Sequence, residues 1–147
     1  MVQNPPADMP PITASLAYED PAAAIEWLTR AYGFRTRIVI PDESGAVIHA
    51  ELVYGEGVVM IGPSGARPEF RSPRALGGAN TGGLYVYVED VEAHHLQALA
   101  AGAEILSAPE TQFYGDRNYA TLDLEGHRWT FGQHLEDVSL DEFKPEA

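Results

Sequence analysis

The sequence predicts an α+β protein made of two consecutive βαβββ modules, and two observations carry that prediction. The first is an internal repeat. Leu16-Ala17-Tyr18-Glu19-Asp20 is echoed about 70 residues later by Tyr87-Val88-Glu89-Asp90, and an alanine-rich stretch ending in Gly33 or Gly102 follows each; such self-similarity fixes architecture before any motif does. His49-Ala50-Glu51-Leu52 and Glu56-Gly57 have counterparts in Tyr119-Ala120-Thr121-Leu122 and Glu125-Gly126. Two copies imply a pair, since a solenoid needs at least about three. The second observation is the order of periodicities. In each copy one run of strand character precedes a helical stretch and three follow it, so one helix covers one face of a four-stranded sheet.

The elements follow in order. Residues 1–11 carry four prolines and read as an extended arm. Residues 12–18 form a strand. Asp20 caps a helix with Pro21 in its first turn, where the missing N–H costs nothing; Ala22, Ala24, Ile25, Leu28 and Ala31 include the spacing of a buried stripe, and Gly33 ends it. Strands are expected at 35–40, 47–53 and 58–61, joined by Pro41-Asp42-Glu43-Ser44-Gly45 and Gly55-Glu56-Gly57, both turn signals. Residues 63–82 show no periodicity and link module 1 (12–62) to module 2 (83–134). Module 2 repeats the order: a strand at 84–88, a helix from the Asp90 cap to 101, and strands at 105–108, 118–122 and 127–131. Residues 135–147 form an acidic tail.

Charge and composition exclude several classes. Nine basic residues against twenty-two acidic ones give a formal charge of −13, which argues against nucleic acid and against an anionic membrane surface. No run of about 18 apolar residues occurs, so no membrane-spanning helix is expected. The chain has no cysteine, which removes disulfides and thiolate metal sites and fits a cytoplasmic protein. No phosphate-binding loop, dinucleotide fingerprint or nucleophile elbow is present, and no cofactor is expected.

Three stretches carry a family resemblance: Leu16-Ala17-Tyr18-Glu19-Asp20, Gly83-Leu84-Tyr85-Val86-Tyr87-Val88-Glu89-Asp90, and Tyr114-Gly115-Asp116-Arg117-Asn118-Tyr119 followed by Asp123-Leu124-Glu125-Gly126-His127-Arg128-Trp129-Thr130-Phe131. Over residues 12–134 the chain resembles the vicinal oxygen chelate superfamily of glyoxalases, bleomycin resistance proteins and extradiol dioxygenases, and its bleomycin-resistance branch in particular. The resemblance implies a concave mixed sheet, a homodimer and a small organic ligand. In metal-dependent members, inward side chains on the first and last strands of each module hold a divalent ion. The corresponding residues here are Thr13, Ile61 (or its neighbour Met60 or Gly62), Gly83 and Thr130, none of which offers an imidazole or carboxylate.

Strand alternation leads to the same expectation, because residues two apart share a face. Leu84, Val86 and Val88 should pack on a helix, leaving Tyr85 and Tyr87 on the open face. His127, Trp129 and Phe131 oppose Arg128 and Thr130, and Thr13, Ser15 and Ala17 oppose Ile12, Ala14 and Leu16. With Val59 and Ile61 added, the expected cleft face holds no carboxylate and no histidine. Its lining of tyrosines, small hydroxyls and a guanidinium suits an organic ligand. The candidate ligand-binding residues are therefore Tyr85, Tyr87, Arg128, Thr130, Ser15, Tyr114 and Arg117. Arg128 is weighed equally as a clamp for an anionic group and as an ion-pair partner; Arg117, in a turn beside Asp116, reads more readily as structural. No metal site is expected. The alternative is the His49-x-Glu51 pair, which supplies two ligands on one strand face where three or four are usual. That alternative belongs to an enzyme reading: a lyase, isomerase or dioxygenase. His94, His95 and Trp27 read as packing residues, and His134 as part of the tail. Phe113-Tyr114, apolar on a loop, reads as a ligand lip or subunit contact.

Overall fold

The computed structural model describes residues 1–142. Two compact units divide between Ala79 and Asn80, and each contains one four-stranded mixed sheet with one helix.

In the first unit β1 (Ala14–Tyr18), α1 (Pro21–Tyr32), β2 (Arg35–Pro41), β3 (Val47–Tyr54) and β4 (Gly57–Pro63) follow one another. The strands lie in the order β1-β4-β3-β2, with β1 parallel to β4 and the other pairs antiparallel. The Asp20 carboxylate accepts the Ala23 N–H at 3.0 Å, which satisfies one of the orphan donors of the first turn. Gly33, at φ +83°, takes the left-handed cap that stops α1. Ala24, Leu28 and Ala31 are fully buried on the helix, as are Ala50 and Leu52 on β3, and each large aliphatic side chain so covered contributes about 1.5–3 kcal/mol.

Strand register corrects one expectation. Val59 pairs with Ala14, and Ile61 with Leu16 and Ala50. Both therefore lie on the α1 side, where they are buried, and not on the open face. Met60 takes the place beside Ser15, and the Thr13 hydroxyl contacts its sulfur at 3.7 Å. The pairing of a strand, which sequence alternation alone does not supply, decides which parity faces outward.

In the second unit β5 (Gly83–Tyr87), α2 (Val91–Ala100), β6 (Glu104–Thr111), β7 (Asp116–Leu122) and β8 (Arg128–His134) repeat the pattern, in the order β5-β8-β7-β6 with β5 parallel to β8. Asp90 caps α2 through the Ala93 N–H. On the helix side Tyr119, Trp129 and Phe131 are fully buried. His94 is hydrogen-bonded to the Tyr119 hydroxyl at 2.6 Å and lies 4.2 Å from the Phe131 ring centroid. The Trp129 indole N–H donates to Asp123 at 3.0 Å.

Strands β7 and β8 run longer than the sequence predicts. β7 begins at Asp116 rather than 118, and β8 continues to His134 rather than stopping at 131. The 63–82 stretch also contains a 3-10 turn, Pro73–Leu76, entered through a proline and closed by left-handed Gly77. Of the acidic tail, residues 135–142 are described and include the short turn Leu140–Glu142; residues 143–147, with Phe143, lie outside the described residues.

Candidate functional site

On the open face of the second sheet five strand residues and one turn converge. Asp116, the first residue of β7, is only 3% exposed. Its Oδ2 accepts the hydroxyls of Tyr85 at 2.7 Å and Tyr87 at 2.9 Å. Its Oδ1 meets His134 Nδ1 at 2.7 Å. Asn118, two residues along the same face of β7, donates its amide to the Tyr85 oxygen at 3.1 Å and to the Tyr114 oxygen at 2.8 Å. The Gln112 amide donates in turn to Asn118. The result is a groove of about 390 Å³ walled by Tyr85, Tyr87, Tyr114, Asp116 and His134.

Two glycines make this approach possible. Tyr85 stands on edge strand β5, yet its hydroxyl reaches Asp116 two strands away, across β8. The ring lies over Gly132, where an added Cβ would come within 2.5 Å of the phenol oxygen. Gly115, at φ +95°, turns the chain into Asp116 and accepts the Leu135 and Glu136 N–H groups through its carbonyl. A Cβ there would strike the Glu136 carbonyl oxygen. The segment after β8 is thus folded onto the turn, which brings Asp137 Oδ1 within 2.7 Å of His134 Nε2.

The charges in this cluster support one another. Burial works to raise the Asp116 carboxyl, but hydrogen bonds from His134, Tyr85 and Tyr87 outweigh it and hold the group below its ordinary value. Hydrogen bonds to Asp137 and Asp116 raise His134, against a smaller opposing effect of burial. Burial, with the Asp116 carboxylate adding to it, pushes the Tyr85 phenol well above its usual value; for Tyr87 the hydrogen bond to Asp116 does most of this. Both phenols are therefore neutral donors at physiological pH, and Asp116 is a carboxylate. The arrangement presents two tilted aromatic faces, 5.3 Å between centroids and 57° between planes, on a fixed anion.

The other sequence-derived candidates do not wall the groove. Thr130 is half-buried beside Tyr85 on the same face. Arg128 is exposed at the far end of β8, opposite Gly83. Arg117 points to the other face of β7, where it pairs with Glu92 of α2 and donates to Thr111, so it is not gathered with the tyrosines. Ser15 is exposed on the first sheet, beside Met60. His49 and Glu51 share the open face of that sheet. Glu51 is buried, with one oxygen on Arg37 and the other 3.0 Å from His49 Nε2, so both of its oxygens already have partners. Among the described residues no three His, Asp or Glu side chains are grouped to hold a metal ion.

The expectation of a face without carboxylate or histidine is thus corrected by Asp116, His134, Glu51 and His49. The signal for Asp116 and His134 was the parity itself. Asp116 shares the face of Asn118, and His134 shares that of Arg128 and Thr130, once the strands are extended.

Duplicated βαβββ units, each with a helix on one sheet face and the other face left open, define the class: an α+β protein of the glyoxalase type. Residues 11–131 match the model of the Glyoxalase/Bleomycin resistance protein/Dioxygenase superfamily, and the chain belongs to that superfamily. It is 36% identical to TioX from Micromonospora sp. ML1, covering 84% of this chain and 98% of that one with a TM-score of 0.68. TnmS3, an antibiotic binding protein from Streptomyces sp. CB03234, shares the fold at 17% identity and a TM-score of 0.66, over 83% of this chain and 93% of its own. An uncharacterized protein of Mycobacterium bovis is 32% identical over 138 residues, 92% of this chain and 90% of that relative. Among the described residues no helix is long and apolar enough to cross a membrane.

Proposed function

We propose that this protein binds a small organic molecule on the open face of its second sheet and does so without a metal ion, as a sequestering protein of the bleomycin-resistance kind. The observation that carries the reading is the tyrosine groove: exposed ring faces of Tyr85 and Tyr87, with Tyr114 beside them, fixed by hydrogen bonds to a buried carboxylate. Aromatic walls with a few placed polar groups are the usual lining of a ligand site. An antibiotic binding protein of the same fold supports this use of the scaffold. The positions at which metal-dependent members carry ligands hold Thr13, Met60, Gly83 and Thr130, poor donors for a divalent ion. A cytoplasmic homodimer completes the proposal.

Thermal denaturation with a compound library in chelator-treated buffer tests it. A true ligand at 100 times its Kd stabilises the native state by about 2.7 kcal/mol, and substitution of Tyr85 and Tyr87 by alanine removes the shift. Elemental analysis showing one equivalent of tightly held metal, with no stabilising compound, would reverse the reading. Light scattering checks the dimer.

A further inference from the structure

The groove has a chemical bias beyond its shape. Tyr85 and Tyr87 both donate to the same carboxylate oxygen, and a phenol that donates to an anion carries a more electron-rich ring. The two ring centroids are 5.3 Å apart with 57° between the planes, so one cation can lie within roughly 6 Å of both centroids. Both are substantially exposed, 43% and 60%, and open to a guest.

The charges that face the groove have one net sign. Asp116 comes from β7, His134 from β8, and Asp137 from the segment after it; β5 and the Tyr114 turn contribute only neutral phenols. With His134 protonated the two carboxylates leave a single net negative charge, and with it neutral they leave two. The whole chain, at −13, draws cations toward this face. Arg128, the guanidinium on the same side of β8, is six residues from His134, about 20 Å at about 3.3 Å per residue, beyond the screening length of physiological salt.

We propose that the groove takes an organic cation, whose ammonium or protonated nitrogen lies over the Tyr85 and Tyr87 rings next to the Asp116 carboxylate. The inference rests on the reading of this groove as the ligand site, and names the class of guest.

The test uses the full chain and three probes of similar size: benzyltrimethylammonium, benzyl alcohol and benzylsulfonate. Each is titrated while the Tyr85 and Tyr87 ring resonances are followed by NMR. The cation is expected to bind about tenfold tighter than the neutral probe, within the range of a partly desolvated cation–π contact, and the anion weakest. Asp116→Asn brings the cation down to the neutral probe. Tyr87→Leu, at an exposed position that leaves the core intact, does the same and guards against a misfolded Asp116 variant. Equal binding of all three at the tyrosines, or preference for the anion, overturns the cation class and leaves the groove as the site. No perturbation of either tyrosine by any probe overturns both.

Discussion

The Tyr85 ring lies directly over Gly132, and the phenol reaches the buried Asp116 carboxylate only because Gly132 has no Cβ. A glycine in a strand interior weakens the strand. Here it lets an edge-strand aromatic cross its neighbour to close a hydrogen-bonded cluster.

Gly132→Ala tests that relationship. The new methyl has room only if Tyr85 swings outward, so its hydrogen bonds to Asp116 and Asn118 are lost. The expected cost is about 1–2 kcal/mol of stability, read by chemical denaturation, with ligand affinity falling as in Tyr85→Ala. Unchanged ring resonances of Tyr85 in this variant would contradict the placement.

Asp116→Asn keeps the shape and removes the charge. The buried acceptor of two phenols and an imidazole becomes an amide that satisfies them poorly, at an expected cost of about 1–3 kcal/mol. The Tyr87 phenol should then ionise at lower pH, since the hydrogen bond to Asp116 is the main force raising it; ultraviolet titration reads this directly.

The Asp116–His134 pair also makes stability depend on pH. His134 is raised in the folded protein, so its contribution is complete below the ordinary imidazole value and lost as pH rises through the raised one. Asp116 is lowered, so its contribution is complete above the ordinary carboxylate value and lost as pH falls through the lowered one. Both are in force together between about pH 4 and 6.5. NMR titration of His134 should give a value above the ordinary imidazole one, and Asp137→Asn should bring it down. A His134 titration at or below the free imidazole value would contradict the geometry.

Gly115→Ala combines a left-handed backbone with a collision against the Glu136 carbonyl. The segment after β8 should detach, freeing Asp137 from His134, with a cost above the roughly 1 kcal/mol that a positive-φ alanine alone incurs. Hydrogen exchange at the Leu135 and Glu136 amides, both bonded to Gly115, would rise.

Much of this fold is written locally. Asp20, Pro21 and Gly33 mark one helix and Asp90 the other by capping chemistry that needs no partner. The alternation of Tyr85 and Tyr87 against Leu84, Val86 and Val88 is legible for the same reason. The sheet register is not local: Val59 and Ile61 read equally well on either face until the pairing with Ala14 and Leu16 is known. Asp116 and His134 escaped notice because polar residues at strand ends look like turn and tail. Arg117 and Asp116, adjacent in sequence, go to opposite faces, so the turn reading of both missed the carboxylate that organises the groove.

The most direct measurement is a crystal structure of the metal-free protein soaked with a compound that stabilises it in chelator. The expected result is the compound seated against Tyr85, Tyr87 and Tyr114. An ion held by three or more side chains, with the tyrosine groove vacant, would contradict it.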